Sequence, residues 1–267
     1  IWGASALLHR KYHKTVVKTH LDFIKAGAEV IVTNSFGSRR RRLIENNLEN
    51  KYKSLNKLAG KLAKIAVKKS KKKILIAGSL PPQNFTYFSD LGNDLKFIKD
   101  SFKSQAIYLN PYVDFFYLDV MSSFKECKIG IKAISSLKKK FIIGIHLRKN
   151  GKLPSGENFI SVVKKLEKYK PLGILASCVS TEDLSVVMKN IKKIKVPFGF
   201  KINAFEHIPA GWKPDSNNPK VQLGKRKDLT PKKFLDVCKK FKKMGAKIIG
   251  GCCEIKPSHI KALKKLV

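Results

Sequence analysis

Lys247-Ile248-Ile249-Gly250-Gly251-Cys252-Cys253 reads as a buried strand that stops at two glycines and opens onto two adjacent thiols. Just before it, residues 231–244 repeat apolar side chains at helical spacing, with Pro231 in the first turn and Thr230 placed as its N-cap. A helix followed by a short apolar strand is the repeating unit of a parallel α/β fold. The unit recurs upstream, where helical residues 159–169 lead to Gly173-Ile174-Leu175-Ala176-Ser177 and a third thiol, Cys178.

Outward from these two segments the alternation runs through the chain. Helical residues 15–26, stopped by Gly27, precede strand 29–33, and a long helical tract from about 41 to 69 precedes strand 74–77. Helix 95–109 leads to strand 115–118, and helix 123–137 to strand 141–145. Helix 181–194, with Thr181 as N-cap, leads to strand 197–202, and helix 257–266 closes the chain. Eight helices and seven strands joined one by one imply parallel pairing with right-handed crossovers. The expected fold is a (β/α)8 TIM barrel, one domain over residues 1–267, whose first strand would fall ahead of Ile1 and which is therefore N-terminally incomplete. The alternative is an open doubly wound sheet. Its nucleotide-binding form is weakened because no Gly-x-Gly-x-x-Gly follows a strand and no Walker-type Gly-Lys-Ser/Thr occurs.

A barrel gathers the residues just past each strand at one rim. Cys178, Cys252 and Cys253 belong to that set, with Asn34, Ser79, Asp119, His146 and Asn203. The longest irregular stretch, residues 206–228, carries Pro209, Gly211, Pro214, Asn217, Asn218 and Pro219, and suits either a lid or binding loop or a disordered linker.

Composition narrows the partners. With 267 residues, 43% of them hydrophobic, the chain can bury a large core, and no apolar run is long enough to span a membrane. Five cysteines form an odd, sparse set, which favours a reducing cytoplasm over a secreted disulfide framework. Cys127 and Cys238 sit in helical patterns, as small buried hydrophobes do. The net charge of +37 invites a nucleic-acid reading, but the lysines coat nearly every helix and only seven of 56 basic residues are Arg. A solvated lysine coat accounts for this better. The run Arg39 to Arg42 is the local exception, read as a helix-start surface with an acidic or phosphate partner as the alternative.

Three thiols at two strand ends point to zinc. Catalytic zinc keeps three protein ligands and one open position, whereas structural sites are closed by four and commonly use Cys-x-x-Cys pairs, which are absent here. Cys178 and Cys252 are 74 positions apart, so only a fold that joins their strand ends makes them common ligands. Gly250 and Gly251 would keep side chains from crowding the ion. Three thiolates leave zinc a poor activator of water but a good holder of a fourth, exchangeable sulfur, and the matching reaction is alkyl transfer to a thiol.

The order of motifs resembles the homocysteine S-methyltransferase family. Gly250-Gly251-Cys252-Cys253 with Pro257-Ser258-His259-Ile260 is similar to its closing signature. His20 to Phe36, with Ala26-Gly27-Ala28 and Thr33-Asn34-Ser35-Phe36, is similar to its early helix and strand end, Ala77 to Pro82 to its third-strand motif, and Asn203 to Glu206 to its seventh. The resemblance implies zinc (Zn2+) held by Cys178, Cys252 and Cys253. It also implies substrate contacts from Asn34, Ser79, Asp119, Asn203 and Glu206, and methyl transfer to homocysteine from S-methylmethionine, S-adenosylmethionine or betaine. Partners are then small molecules, with a homo-oligomer left open. The chain departs from the family where Asp119 stands for a Glu, Phe205 for the Gly before Glu206, and Glu254 for the Gly after the cysteine pair. His146 is expected to pack or hydrogen-bond, since the methyl step needs no proton transfer at the donor. The alternatives are a basic nucleic-acid-binding or scaffold protein on an idle barrel, or a related thiol or selenol methyltransferase.

Overall fold

Alternating inward and outward side chains on the strands decide the shape of the sheet. In a computed structural model describing residues 3–209, 211–212 and 219–266, seven parallel strands pair in sequence order: β1 (Val30–Val32), β2 (Leu75–Leu80), β3 (Phe115–Met121), β4 (Phe141–Ile145), β5 (Ile174–Val179), β6 (Phe198–Ile202) and β7 (Ile248–Gly251). Ile31, Ile76, Phe116, Ile143 and Phe200 point outward into the main core under the helices. Val32, Ala77, Tyr117, Ile142, Leu175 and Ile248 point inward into one common cluster. That cluster runs across the inner face from one edge strand to the other, and Lys201 on β6 reaches Asp119 on β3 at 3.4 Å, three strands away, which requires the sheet to curl toward a barrel.

The helices are α1 (Ser5–Leu8), α2 (His13–Ala26), α3 (Arg40–Ile44), α4 (Tyr52–Ser70), α5 (Leu95–Leu109), α6 (Phe124–Ile134), α7 (Phe159–Glu167), α8 (Thr181–Met188), α9 (Pro219–Leu223), α10 (Pro231–Lys243) and α11 (Pro257–Ala262). The last packs against α2, bringing the two ends of the ring together on the outside. Gly27 ends α2 at φ 113°, and the Lys264 side chain lies so close that a Cβ on Gly27 would come within 3.1 Å of it. Among the described residues no strand pairs with the free edges of β1 and β7.

Three expectations are corrected. The tract 41–69 is not one helix. It breaks between α3 and α4, where Asn47 takes a left-handed φ of 55° and Leu48 N–H returns to Leu43 C=O. Asn tolerates that conformation, and the break interrupts what reads as continuous periodicity. The N-cap of α8 is Ser180, whose hydroxyl accepts from Asp183 N–H, while Thr181 is already inside the helix. Residues 206–228 contain the short helix α9; Pro214, Asn217 and Asn218 lie outside the described residues. Thr230 caps α10 with Pro231 in its first turn, as the sequence predicts.

Candidate metal centre and substrate cavity

The three thiols reach one point by different local devices. On β5 the pairing passes from Ser177↔Lys201 to Val179↔Ile202, leaving Cys178 as an extra, unpaired residue. This bulge, with Cys178 at φ 54°, interrupts the alternation and redirects its side chain. Cys252 and Cys253 follow β7 and are pinned to β6 and its following loop, Cys252 N–H donating to Ile202 C=O at 2.7 Å and Ala204 N–H to Cys253 C=O at 2.9 Å. The three sulfurs lie within 4.8 Å of one another, Cys178 to Cys253 at 3.8 Å and Cys252 to Cys253 at 4.0 Å.

The glycine pair serves another purpose than the one expected. A Cβ on Gly251 would collide with Ile255, and one on Gly250 would make only ordinary contact with the Lys201 stem. Gly251 therefore admits the turn that carries the thiols, rather than clearing space for an ion.

Electrostatically the cluster is prepared for negative charge. Hydrogen bonds from Cys178 and Cys253 hold the Cys252 thiol well below its ordinary pKa, and the nearby Lys201 ammonium adds to this. Bonding to Cys252 pushes Cys178 up, since the two cannot both ionise easily. The Tyr87 hydroxyl stands 3.1 Å from Cys178 Sγ, and Asn203 Nδ2 3.7 Å from the same sulfur.

These sulfurs line a cavity of about 250 Å³ at the barrel mouth. Asn34 and Asp119 line it with them, whereas Ser79, Asn203 and Glu206 do not. Ser79 lies buried behind Asp119, its hydroxyl 3.4 Å from the carboxylate and its N–H bonded to Thr33 Oγ1. Asn203 bonds its own loop through Phe205 N–H besides facing Cys178. Glu206 is exposed and lies against Gly224. His146 is buried with its ring 4.5 Å from that of Tyr87, and burial lowers its pKa to about 4, so it is neutral near pH 7.

Several residues at the site went unread in the sequence. Lys201 projects inward from β6 and pairs with Asp119 at 3.4 Å. Burial raises the Asp119 pKa, while Asp119 and Tyr117 outweigh burial at Lys201 and keep its ammonium charged. Its signal was a lysine in the interior of an apolar strand, Phe198-Gly199-Phe200-Lys201-Ile202. Tyr87 and Trp212, with ring centroids 5.8 Å apart, line the cavity from loops where no periodicity marks them.

The four arginines are not a uniform surface. Arg39 and Arg42, three apart, are buried and line the cavity, whereas Arg40 pairs with Glu49 at 2.7 Å and Arg41 lies over Phe97.

A parallel barrel whose rim joins three thiols from two strands defines a class of α/β enzyme built around a sulfur-rich centre. The chain belongs to the homocysteine S-methyltransferase family, whose description matches residues 1–267. It is similar to a betaine-homocysteine S-methyltransferase of Drosophila melanogaster, 25% identical across 95% of this chain and 83% of that protein. It is 22% identical to the homocysteine S-methyltransferase of Escherichia coli (strain K12), across 99% of this chain and 87% of that one. The crystal structure of the homocysteine methyltransferase MmuM from Escherichia coli, in its oxidized form, shares the fold with a TM-score of 0.78 at 19% identity, covering 100% of this chain and 88% of that chain. No helix among the described residues is long and apolar enough to cross a membrane.

Proposed function

We propose that the protein transfers a methyl group from a sulfonium or ammonium donor to the thiol of homocysteine, giving methionine, with zinc held by Cys178, Cys252 and Cys253. The observation that carries this reading is the convergence of three cysteine sulfurs within 4.8 Å at the wall of a substrate-sized cavity. The donor set fits the ion: three soft sulfurs at the cavity wall would hold zinc with a fourth ligand left to a substrate, the ligand count of a catalytic rather than a structural centre. Zinc, when bound, would hold an incoming thiol as its thiolate at neutral pH.

The chain's own residues supply the remainder. Asp119, at the cavity wall and held by Lys201, is placed to receive the acceptor's ammonium group, and Asn34 offers its amide from the β1 side. Ser79 backs Asp119, Asn203 steadies Cys178, and Glu206 contributes only if the loop after β6 turns it inward. Phe36, Tyr87, Phe205 and Trp212 line the cavity with aromatic faces suited to a methylated cation. The acceptor sulfur forms its bond to the methyl carbon as the donor heteroatom departs with the old bonding pair. In-line placement in a walled cavity is what the protein contributes to that step. Five free cysteines suit the reducing cytoplasm.

Zinc analysis and a donor panel with homocysteine test the proposal together. The expected result is about one zinc per chain, lost with activity in Cys252→Ala. Full turnover by metal-free protein would overturn it.

A further inference from the structure

The cavity that the thiols line is also lined by a buried cation that the methyl step does not use. Arg39 is only 3% exposed. Its Nη1 donates to Thr86 Oγ1 at 2.7 Å, while its buried Nε has no hydrogen-bond partner. The guanidinium sits 5.8 Å from the centre of the Phe36 ring, and no carboxylate forms an ion pair with it among the described residues. Glu45 and Glu126 act on it only through space; burial first and the neighbouring Arg42 second lower its pKa to about 10. This corner of the protein is short of negative charge.

A guanidinium taken out of water is unfavourable unless an anion and hydrogen bonds compensate it. Arg39 and Arg42 stand at the start of α3 and within it, after β1, and Thr86 on the loop after β2; Cys178 stands in the bulge of β5 and the cysteine pair just after β7, all lining one cavity. We propose that Arg39, with Arg42 beside it, is a carboxylate subsite that takes the carboxylate of an amino-acid ligand whose other end reaches the three thiols. This deepens the methyl-transfer reading and rests on it for the ligand being an amino acid. A planar guanidinium with a free N–H edge suits a carboxylate better than an ammonium would. The carboxylate can belong to the acceptor or to the donor, since the chemistry recognised is the same.

Calorimetric binding to the zinc-loaded chain and its Arg39→Met and Arg39→Lys variants separates these sources. The probes are L-homocysteine and S-methyl-L-methionine, each paired with a carboxylate-free counterpart, 3-aminopropanethiol and trimethylsulfonium. Arg39→Met is expected to weaken one carboxylate-bearing probe by about 10- to 100-fold, with Lys restoring part of the loss, while its counterpart binds all three proteins alike. Loss for homocysteine assigns the carboxylate to the acceptor, and loss for S-methylmethionine to the donor. The unliganded Arg39→Met protein is expected to melt at or above the parent temperature, since it no longer buries an unpaired charge.

The proposal is overturned if both amino acids bind the parent and Arg39→Met equally, if the parent binds neither, or if Arg39→Met melts lower and loses all four probes together. Binding needs no turnover, so the two readings fail separately. A parent protein that transfers no methyl yet shows the selective loss retains the subsite and rejects the methyl-transfer reading.

Discussion

Lys201 and Asp119 face each other inside the barrel just below the thiols, with side chains 15% and 5% exposed, at a distance of 3.4 Å. Removing one member of a buried pair strands the other, typically at about 3 kcal/mol or more, whereas replacing both with apolar residues is far milder. Lys201→Met is therefore expected to destabilise the chain strongly, and Lys201→Met with Asp119→Leu to recover most of that loss in denaturant titrations. Homocysteine affinity should fall in both, because Asp119 is either missing or displaced. Glu254 poses the opposite case. It occupies φ 63°, a conformation that favours glycine, and its compensation is a 3.7 Å contact with Lys225 at the surface. Glu254→Gly should thus be neutral or stabilising by up to about 1 kcal/mol in the same titration.

At the scale of elements, the helix starts discriminate between side chains that differ by one position. Thr230→Ala and Ser180→Ala each remove an N-cap hydroxyl and are expected to cost about 1 kcal/mol in thermal unfolding. Thr181→Ala removes only a hydroxyl that accepts from Arg226 and should cost less than half as much. Periodicity made the seven strands and most helices legible, because each strand is a short apolar run between helical stretches. It could not show the break around Asn47, where the apolar spacing continues although the backbone reverses. Cys178, Cys252 and Cys253 were legible as a group because strand ends share a rim. Tyr87 and Arg39 were not, since their places depend on how the loops after β1 and β2 fold over the mouth. Ser79 and Asn203 follow the strand-end rule in sequence and Glu206 follows from the family resemblance, yet the first two turn into hydrogen bonds beside the cavity and the third toward solvent.

For the whole molecule, buried titratable groups set the pH range of stability. His20 and His146 are held neutral by burial, with pKa values lowered from 6.5 to about 4, so their contribution is full above pH 6.5 and is lost as pH falls toward 4. Glu126 is raised by burial from 4.5 to about 8, so its contribution is full below pH 4.5 and is lost as pH rises through 8. Two histidines against one carboxyl give stability that rises up to about pH 6.5 and then declines, each proton being worth at most about 1.4 kcal/mol per pH unit. Melting curves should peak near there, and Glu126→Gln should remove the decline toward pH 8. The net charge of +37 adds a second global effect: added salt should raise the melting temperature by screening repulsion among the lysines.

The separation of Cys178 from Cys252 by two strand pairings, β5 to β6 and β6 to β7, means that the thiol cluster is complete only when all three strands are docked. A nascent chain released before residue 252 owns one of the three sulfurs, and a complete but half-docked chain holds a vicinal pair without its third member. Under the zinc reading proposed above, tight chelation would arrive only with correct docking of the C-terminal third, and metal uptake during refolding would serve as a clock for maturation.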